Sequence, residues 1–332
     1  MTNPSDFAVH PPAYGFYDRL HSEFPSQIIV DVTEVCNLAC IHCPHPSFKA
    51  SEHYNARYQS LELNRKLVDE VRSSGAGHTQ YIRYTGEGEP LIHPQLPEML
   101  NYAVLHSGST ISLTTNGTLL NNKRIQAILA TGVHVIDISL DAYKPETYAK
   151  IRVNGNLDDT RANVLSLLAA IRTSGSKTKL VVSYVEQPLN LAETAAFEVF
   201  WKTQGADYVV IRRLHSAAGA VTGTAAQIRH EIGAEPRRPC LYPWERIILN
   251  PRGELIFCPQ DWVHGSVVID YRTTTIKETW QGEFYRALRE AHLHNDYRCH
   301  GFCGGCPDWK HTRWPNDGRS YANMIEEFKA KE

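Results

Sequence analysis

The chain has 332 residues, of which 42% are hydrophobic and 21% are charged, and its formal net charge is −2. These values are ordinary for a globular protein and exclude a strongly basic nucleic-acid binder. No apolar segment is long enough to cross a bilayer, and the first 20 residues lack the pattern of a signal peptide. We therefore expect a cytoplasmic protein without nucleic-acid or membrane partners. In that compartment its eight cysteines are expected to bind metal or take part in catalysis rather than form disulfides.

Between residues 26 and 214, short β-rich segments alternate with amphipathic helical segments. The predicted strands are 28–32, 81–86, 111–116, 135–141, 179–185 and 208–214. The predicted helices, in which apolar residues recur three and four positions apart, are 64–73, 95–106, 122–131, 160–174 and 192–204. This alternation predicts a parallel sheet with right-handed crossovers, either an open doubly wound sheet or a partial barrel.

The alternation of predicted strands and helices ends after residue 214. Residues 215–239 are small and polar, and we interpret them as a connector. Residues 240–310 contain five of the eight cysteines, two strand-like runs at 246–250 and 255–259 on either side of a predicted turn, and one helical segment, 275–293. A segment with so little regular structure is expected to gain order from bound metal, so we predict a small cysteine-rich domain. The flanking segments 1–25 and 311–332 are interpreted as an N-terminal extension and a C-terminal tail.

A first group of cysteines, Cys36, Cys40 and Cys43, directly follows the first predicted strand with the spacing C-x3-C-x2-C. Soft thiolate ligands select iron–sulfur clusters or zinc. Three protein ligands leave one metal position free for a non-protein ligand, which is typical of a reactive rather than a structural site. The alternative is a zinc site completed by His42, His45 or His53.

This cysteine loop resembles that of the radical S-adenosylmethionine (SAM) superfamily, and the resemblance extends through the whole first domain. It implies a partial (β/α)6 barrel and a [4Fe–4S] cluster on Cys36, Cys40 and Cys43. In that family the open iron binds SAM, and reductive cleavage gives a 5′-deoxyadenosyl radical that abstracts a hydrogen atom from the substrate. The electron donor implied is a flavodoxin or a ferredoxin. His42 stands where the family usually has an aromatic residue.

Three further motifs follow predicted strands in the order in which the family carries its SAM contacts. The segments TGEGEP, TTNG and SLDA with a downstream Arg resemble those that hold the amino group, the ribose and the carboxylate of SAM, with Glu87 in place of the family's first glycine. The residues that the resemblance assigns to SAM are His42, Gly88, Glu89, Pro90, Thr115, Asn116, Ser139, Asp141 and Arg152. Each polar residue taken alone is also explained by a turn or a helix cap.

A second group of cysteines, Cys240, Cys258, Cys299, Cys303 and Cys306, lies in the C-terminal region. This region resembles the SPASM and "twitch" auxiliary-cluster domains of radical SAM enzymes, and five cysteines fit the single-cluster twitch form. Four cysteines suffice for one [4Fe–4S] cluster. The ligand set implied omits Cys299, although Cys299 is able to replace Cys303. A zinc ribbon is the alternative for this region.

The spare thiol of Cys299 and the polar residues near the barrel mouth bear on the reaction. A hydrogen atom donated by Cys299 would indicate an epimerase, whereas an extra cysteine is more often buried or an alternative ligand. The residues expected to face the barrel mouth and the substrate are His45, Tyr184, Glu186, Gln187 and Arg212.

The domain pairing and size resemble radical SAM dehydrogenases and epimerases of sugars and aminocyclitols, including enzymes of antibiotic biosynthesis. Only about 25 residues precede the first strand, too few for the peptide-recognition winged helix of many peptide-modifying relatives. We therefore expect a small-molecule substrate. The alternatives are a maturase of a ribosomal peptide and, from a different class, a non-catalytic zinc-binding protein.

Overall fold

The computed structural model of the protein describes residues 23–312. The predicted N-terminal extension and C-terminal tail lie outside this range, apart from residues 23–25 and 311–312. The strands are β1 Gln27–Asp31, β2 Tyr81–Thr85, β3 Thr110–Thr115, β4 Val135–Ser139, β5 Lys179–Glu186, β6 Tyr208–Arg213, β7 Arg246–Leu249, β8 Glu254–Ile256 and β9 Val267–Asp270. The helices are α1 His45–Lys49, α2 Leu61–Ser74, α3 Leu96–His106, α4 Asn122–Leu129, α5 Pro145–Ile151, α6 Leu157–Ser174, α7 Thr194–Gln204, α8 Thr222–Ile232, α9 Tyr242–Glu245, α10 Ile276–Gln281, α11 Glu283–His294 and α12 Gly301–Gly305.

Within residues 23–312 one nine-stranded sheet runs in the order β6-β5-β4-β3-β2-β1-β7-β8-β9. Strands β1 to β6 are parallel and alternate with helices, which makes this part of the molecule a partial (β/α)6 barrel. All six strands lie within two residues of their predicted bounds, and the predicted fold class is confirmed.

The sheet continues directly from the barrel into the cysteine-rich region. Strand β7 pairs in parallel with β1, with Gln27 opposite Arg246, and β8 and β9 then add antiparallel strands. The cysteine-rich region is therefore joined to the barrel at the strand that precedes the first cysteine loop.

Side chains alternate between the two faces of each barrel strand, and the two faces have different surroundings. The side chains that face the helices form the main hydrophobic core, to which α6 contributes Val164, Leu167 and Leu168. On the barrel interior, Tyr81, Val135, Val181, Tyr208 and Val210 form a smaller apolar cluster. The loops that carry the predicted motifs follow the carboxyl ends of the parallel strands, so they meet at one edge of the sheet, where such folds bind their ligands.

Two sequence-based assignments need correction. The connector 215–239 contains helix α8, whose buried face consists only of Ala225 and Ile228, too few apolar positions for the pattern to show. The single helix predicted at 275–293 is two helices, because Gly282 adopts an extended conformation between α10 and α11. Among the described residues no helix is long and apolar enough to cross a membrane.

Candidate active site

The first cysteine loop is held at the carboxyl edge of the sheet by the segment that follows α5. The backbone N–H of Ala39 donates to the Val153 carbonyl at 3.0 Å, and that of Ile41 donates to the Ile151 carbonyl at 3.0 Å. Arg152, which lies between these two acceptors, is thereby placed beside the cysteine loop. The loop and the predicted carboxylate-binding residue therefore form one structural unit.

The three thiols of this loop are poor nucleophiles without a metal. Burial raises the pKa of Cys36 to about 11 and that of Cys43 to about 12, and burial also raises the pKa of Cys40. Metal binding is what deprotonates such thiols. In residues 23–312 no three His, Cys, Asp or Glu side chains are grouped closely enough to hold a single metal ion. Three thiols on one loop form a donor set that suits an iron–sulfur cluster.

Asp141 is fully buried and positions Arg152. Its Oδ2 accepts hydrogen bonds from Nε and Nη2 of Arg152 at 2.8 and 2.5 Å, and its Oδ1 accepts one from the Val185 N–H at 2.6 Å. The backbone of Asp141 is left-handed, with φ of 61°, a conformation in which Asp and Asn are enriched. The charge of Asp141 thus holds the guanidinium of Arg152 beside the cysteine loop.

His42 lies against this pair. Its Nε2 is 3.5 Å from Oδ2 of Asp141, and burial lowers its pKa to about 4, so the imidazole is neutral at physiological pH. Its Nδ1 is buried and has no hydrogen-bond partner among the described residues. The ring offers a flat face and one unsatisfied polar atom to a ligand beside the cysteine loop.

Glu89 links two of the predicted SAM-binding segments. Its carboxylate accepts hydrogen bonds from the Thr115 hydroxyl at 2.5 Å, the Asn116 N–H at 2.8 Å and the Leu91 N–H at 3.0 Å. Asn116 in turn donates to the side chain of Asn37 at 3.0 Å. Asn37 was missed from the sequence, although its position next to Cys36 was the available signal.

The segment that contains Gly88 and Pro90 passes under the cysteine loop with no room for a side chain. A Cβ on Gly88 would lie 2.3 Å from the Thr33 carbonyl oxygen and 2.4 Å from that of Val35. The Glu89 N–H donates to the same Val35 carbonyl at 2.8 Å. Only glycine allows this approach of the two backbones.

A cavity of about 560 Å³ opens beside the cysteine loop and extends to the cysteine-rich region. The residues predicted from the sequence that line it are His42, Cys43, Ser139, Arg152, Glu186 and Arg212. Other lining residues come from distant segments and were not predicted to line a site from the sequence, namely Asp31, Glu87, His215, Gln260, Asp261 and Trp262. Because the first group lies on the barrel loops and the second group includes the cysteine-rich region, the cavity is shared by both parts of the sheet.

Three residues predicted to contact the substrate do not line this cavity. Side chains alternate along β5, so Ser183 faces the interior and Tyr184 faces the helices, where its hydroxyl donates to the Asn190 carbonyl at 2.5 Å. Gln187 is buried outside the cavity, and its N–H donates to Oδ1 of Asn190 at 2.7 Å. His45 is buried too: its Nε2 is 2.8 Å from the Glu34 carbonyl oxygen. The prediction was wrong for these three because it counted polar residues near strand ends without assigning the face of each.

Arg212 does reach the cavity, and it is held there by the barrel interior. Its Nη2 lies 2.9 Å from Oδ2 of the fully buried Asp137 and 3.2 Å from the Ser183 hydroxyl. Arg83 approaches the same carboxylate oxygen at 3.3 Å. Two guanidinium groups thus share one carboxylate, which leaves this wall of the cavity electropositive.

The same cavity is also lined by a pair of carboxyl groups, Asp31 and Glu87. The Glu87 N–H donates to Oδ1 of Asp31 at 3.0 Å, and one oxygen of Glu87 is buried without a hydrogen-bond partner in the described part of the chain. Burial, together with nearby acidic groups, raises the pKa of Glu87 to about 8 and that of Asp31 well above its usual value. The pair therefore retains a proton at neutral pH. Gly86 packs directly on it, since a Cβ there would lie 1.7 Å from Oδ1 of Asp31.

The second group of cysteines surrounds a cavity of only about 30 Å³. The cysteines that line it are Cys240, Cys258, Cys303 and Cys306, with Phe257, Phe302 and Trp309 among the other lining residues. Burial raises the pKa of all four thiols, to about 12 for Cys303 and about 11 for Cys306. Cys299 is exposed and lines neither cavity. The structure thus brings together the four cysteines of the implied ligand set and leaves the fifth apart.

An open three-thiol loop beside an anchored guanidinium, and a closed four-thiol site on the same sheet, define an iron–sulfur enzyme. The model of the radical SAM superfamily matches residues 30–197, and that of the SPASM iron–sulfur cluster-binding domain matches residues 240–307. The chain belongs to the radical SAM superfamily and carries a C-terminal SPASM domain. Its cofactors are accordingly a [4Fe–4S] cluster that binds SAM, SAM itself and an auxiliary cluster, as the resemblance implied. This membership sets aside the alternative of a non-catalytic zinc protein.

Individual relatives are distant. A probable GTP 3′,8-cyclase of Methanococcus maripaludis is 33% identical over 135 residues, which are 41% of this chain and 43% of that protein. The chain thus spans less than half the length of this curated relative. BtrN in complex with AdoMet and 2-DOIA gives a TM-score of 0.59 at 16% identity and covers 85% of this chain and 92% of its own. SuiB of Streptococcus suis bound to the precursor peptide SuiA gives 0.61 at 13%, covering 92% of this chain and 73% of its own. At these identities the two structures show the shared fold alone.

The residues of the first site fit the groups that the family requires. The donor set is three thiols on one loop, of which that of Cys43 lines the cavity, and the buried Nδ1 of His42 lacks a partner among the described residues. We propose that Cys36, Cys40 and Cys43 hold the SAM-binding cluster. We further propose that Arg152 receives the carboxylate of SAM.

Proposed function

We propose that this protein dehydrogenates a secondary alcohol of a small sugar or aminocyclitol-type molecule. The observation that carries the proposal is the cavity of about 560 Å³, a size typical of small-molecule sites, which is lined by both a carboxyl pair and an anchored arginine. Its polar lining is suited to a substrate with several hydroxyl or amino groups. Because the structural neighbours inform only on the fold, the proposal depends on the cavity itself.

The chain's own residues supply what the cofactors do not. When bound, SAM and its cluster supply hydrogen abstraction, and the auxiliary cluster supplies an acceptor for one electron. Oxidation of a carbinol to a carbonyl also requires that the hydroxyl proton be removed. Glu87, with Asp31 beside it, is suited to accept that proton, since a base acts best when its pKa is near the working pH, and that of Glu87 is about 8.

Arg212 and the cysteine-rich region complete the binding surface. Arg212 is fixed by Asp137 and is suited to orient an oxygen atom of the substrate. On the other side, Asp261 anchors a loop by accepting hydrogen bonds from the N–H groups of Gly265 and Ser266, at 3.1 and 2.7 Å. That loop places Trp262 over the cavity, where an apolar ring excludes water from the reacting centre.

Dehydrogenation is favoured over epimerisation by the positions of the thiols. An epimerase must return a hydrogen atom to the substrate radical, and a thiol is the usual side-chain donor. Among the cysteines that the structure describes, Cys43 alone lines the large cavity, and it belongs to the cluster loop. Cys299 is exposed and outside the cavity, so its location does not support the role of hydrogen donor.

The test is a screen of sugars and aminocyclitols with the anaerobically reconstituted protein, reduced by a flavodoxin or ferredoxin, which we propose as its donor. The expected result is 5′-deoxyadenosine together with a product that has lost two hydrogens and carries no carbon-bound deuterium at the reacting carbon when the reaction is run in D2O. An epimer with one carbon-bound solvent deuterium would contradict dehydrogenation and show epimerisation instead. Turnover with short peptides only would favour a maturase, the alternative to which the fold shared with SuiB points.

A further inference from the structure

His292 is a buried histidine of helix α11 that faces the auxiliary cysteines. Its side chain is 2% exposed, and it lines the small cavity together with Cys240, Cys258, Cys303 and Cys306. Because buried polar atoms are normally hydrogen-bonded, both nitrogen atoms of this ring need a partner.

The hydrogen bonds of Nδ1 determine where the ring carries its hydrogen. The backbone N–H of Cys240 points at Nδ1 from 3.2 Å, and the Tyr297 hydroxyl lies 3.1 Å from the same atom. A backbone N–H can only donate, so Nδ1 is an acceptor. A neutral imidazole that accepts at Nδ1 carries its hydrogen on Nε2.

Nε2 is therefore a donor, and it is buried without a hydrogen-bond partner among residues 23–312. Leaving a buried donor unsatisfied is costly, and native proteins rarely do so. Edge-on contacts with the rings of Tyr297 and Trp244, at centroid distances of 5.1 and 6.2 Å, limit reorientation of the imidazole. The four cysteines line the same small cavity as His292, so a cluster that they hold can supply the missing acceptor.

We propose that Nε2–H of His292 donates a hydrogen bond to a sulfur atom of the auxiliary cluster and so raises the reduction potential of that cluster. Hydrogen bonds to cluster sulfurs stabilise the more negative, reduced state. Outer-shell partners of this kind tune metal sites without ligating them. His292 is a positioning and tuning residue, and this role does not depend on which substrate the enzyme takes.

The first test uses the full chain with Cys36, Cys40 and Cys43 changed to Ala, so that only the auxiliary cluster remains, and with ¹⁵N-labelled histidine. Pulsed electron paramagnetic resonance of the reduced cluster is expected to show one exchangeable proton and a weak nitrogen coupling. Both signals should disappear in His292→Phe. A strong nitrogen coupling, which marks a histidine bound to iron, or no histidine coupling at all, would overturn the proposal. This measurement needs no variant at position 292, so it decides even if His292→Phe loses its cluster.

The second test is the midpoint potential in the same background. His292→Phe is expected to lower the ratio of reduced to oxidised cluster at a fixed applied potential about tenfold, which corresponds to about 59 mV for a one-electron couple. His292→Gln, which keeps a side-chain N–H, should recover part of this shift. Tyr297→Phe is the matched control, because it removes a bond to Nδ1 and leaves the donor at Nε2. Equal shifts in His292→Phe and Tyr297→Phe would show that general disturbance of the ring, and not the donor, sets the potential.

Discussion

The two cysteine sites of this molecule share one sheet and differ in what surrounds them. The first has three thiols beside a cavity of about 560 Å³ that is lined by charged side chains, among them Arg152 and Glu87. The second has four thiols around about 30 Å³, enclosed by aromatic rings such as Phe257. Both sets of thiols have raised pKa values because of burial, so protonation does not distinguish them.

What distinguishes the two sites is the space next to the thiols. An open side with charged neighbours admits a polar ligand such as SAM, whereas an apolar, filled surrounding excludes water and further ligands. Strand β7 pairs with β1, so one continuous sheet supports both sites. We infer that one site performs chemistry on a bound molecule and that the other supports it from a fixed position.

The strongest test of this contrast is removal of one thiol from the open site. Cys40→Ala is expected to abolish SAM cleavage, because two remaining thiols cannot hold a cluster with one open iron. The measurement is 5′-deoxyadenosine formation after anaerobic reconstitution. Cys299→Ala is the matched control and should cleave SAM at the wild-type rate, since Cys299 is exposed. Full cleavage by Cys40→Ala would contradict the assignment of the open site.

Removal of a thiol from the closed site should have a more selective effect. Cys258→Ala is expected to lower the iron content from about eight to about four per chain while SAM cleavage continues. Formation of the oxidised product should fall below detection, because the second electron then lacks its acceptor. Iron and sulfide analysis and product mass spectrometry measure the two effects. If Cys299→Ala loses four irons and Cys303→Ala loses none, Cys299 and not Cys303 is the cluster ligand.

The contrast between the sites was only partly predictable from the sequence. The spacing of Cys36, Cys40 and Cys43 after a buried strand is local, so the sequence carries it in full. The six parallel strands were predictable for the same reason. Glu87 was noticed only as a departure from a motif, since its meaning depends on Asp31, 56 positions away, and on the cysteine-rich region. His292 resembles any histidine on an amphipathic helix until the fold places it beside four cysteines.

The carboxyl pair gives the open site a pH dependence that the closed site lacks. Glu87 must lose its proton to act as a base, so the rate of product formation should rise with pH through about 8. Glu87→Gln should reduce this rate about 100-fold and remove the rise, a loss within the range of general-base catalysis. The charged groups that surround Glu87 are Asp31, Glu34, Asp261, Arg252 and Arg57.

The free energy of unfolding should also depend on the protonation of Glu87. The folded pKa of about 8 lies above the usual value of 4.5, so the protonated form stabilises the fold below pH 4.5. That contribution is lost as the pH rises through about 8, and in Glu87→Gln it should not vary with pH. Urea titrations between pH 6 and 9 measure the difference in the free energy of unfolding.

For the kinetic prediction, a pH–rate profile in Glu87→Gln identical to that of the wild type would show that Glu87 is not the base of the reaction.

The smallest expected effect concerns the support of Arg152. Asp141→Asn keeps the side-chain shape, the acceptor for the Val185 N–H and tolerance of the left-handed backbone. It removes the charge that fixes the guanidinium, so the Kd for SAM should rise about tenfold, or about 1.4 kcal/mol, while the iron content stays unchanged. Arg152→Lys should weaken SAM binding at least as much, because an ammonium cannot form the paired bonds. Isothermal titration of SAM into the reconstituted protein measures both variants. Wild-type affinity in Asp141→Asn together with weak binding in Arg152→Lys would show that the cysteine loop, through Ala39 and Ile41, suffices to position the arginine.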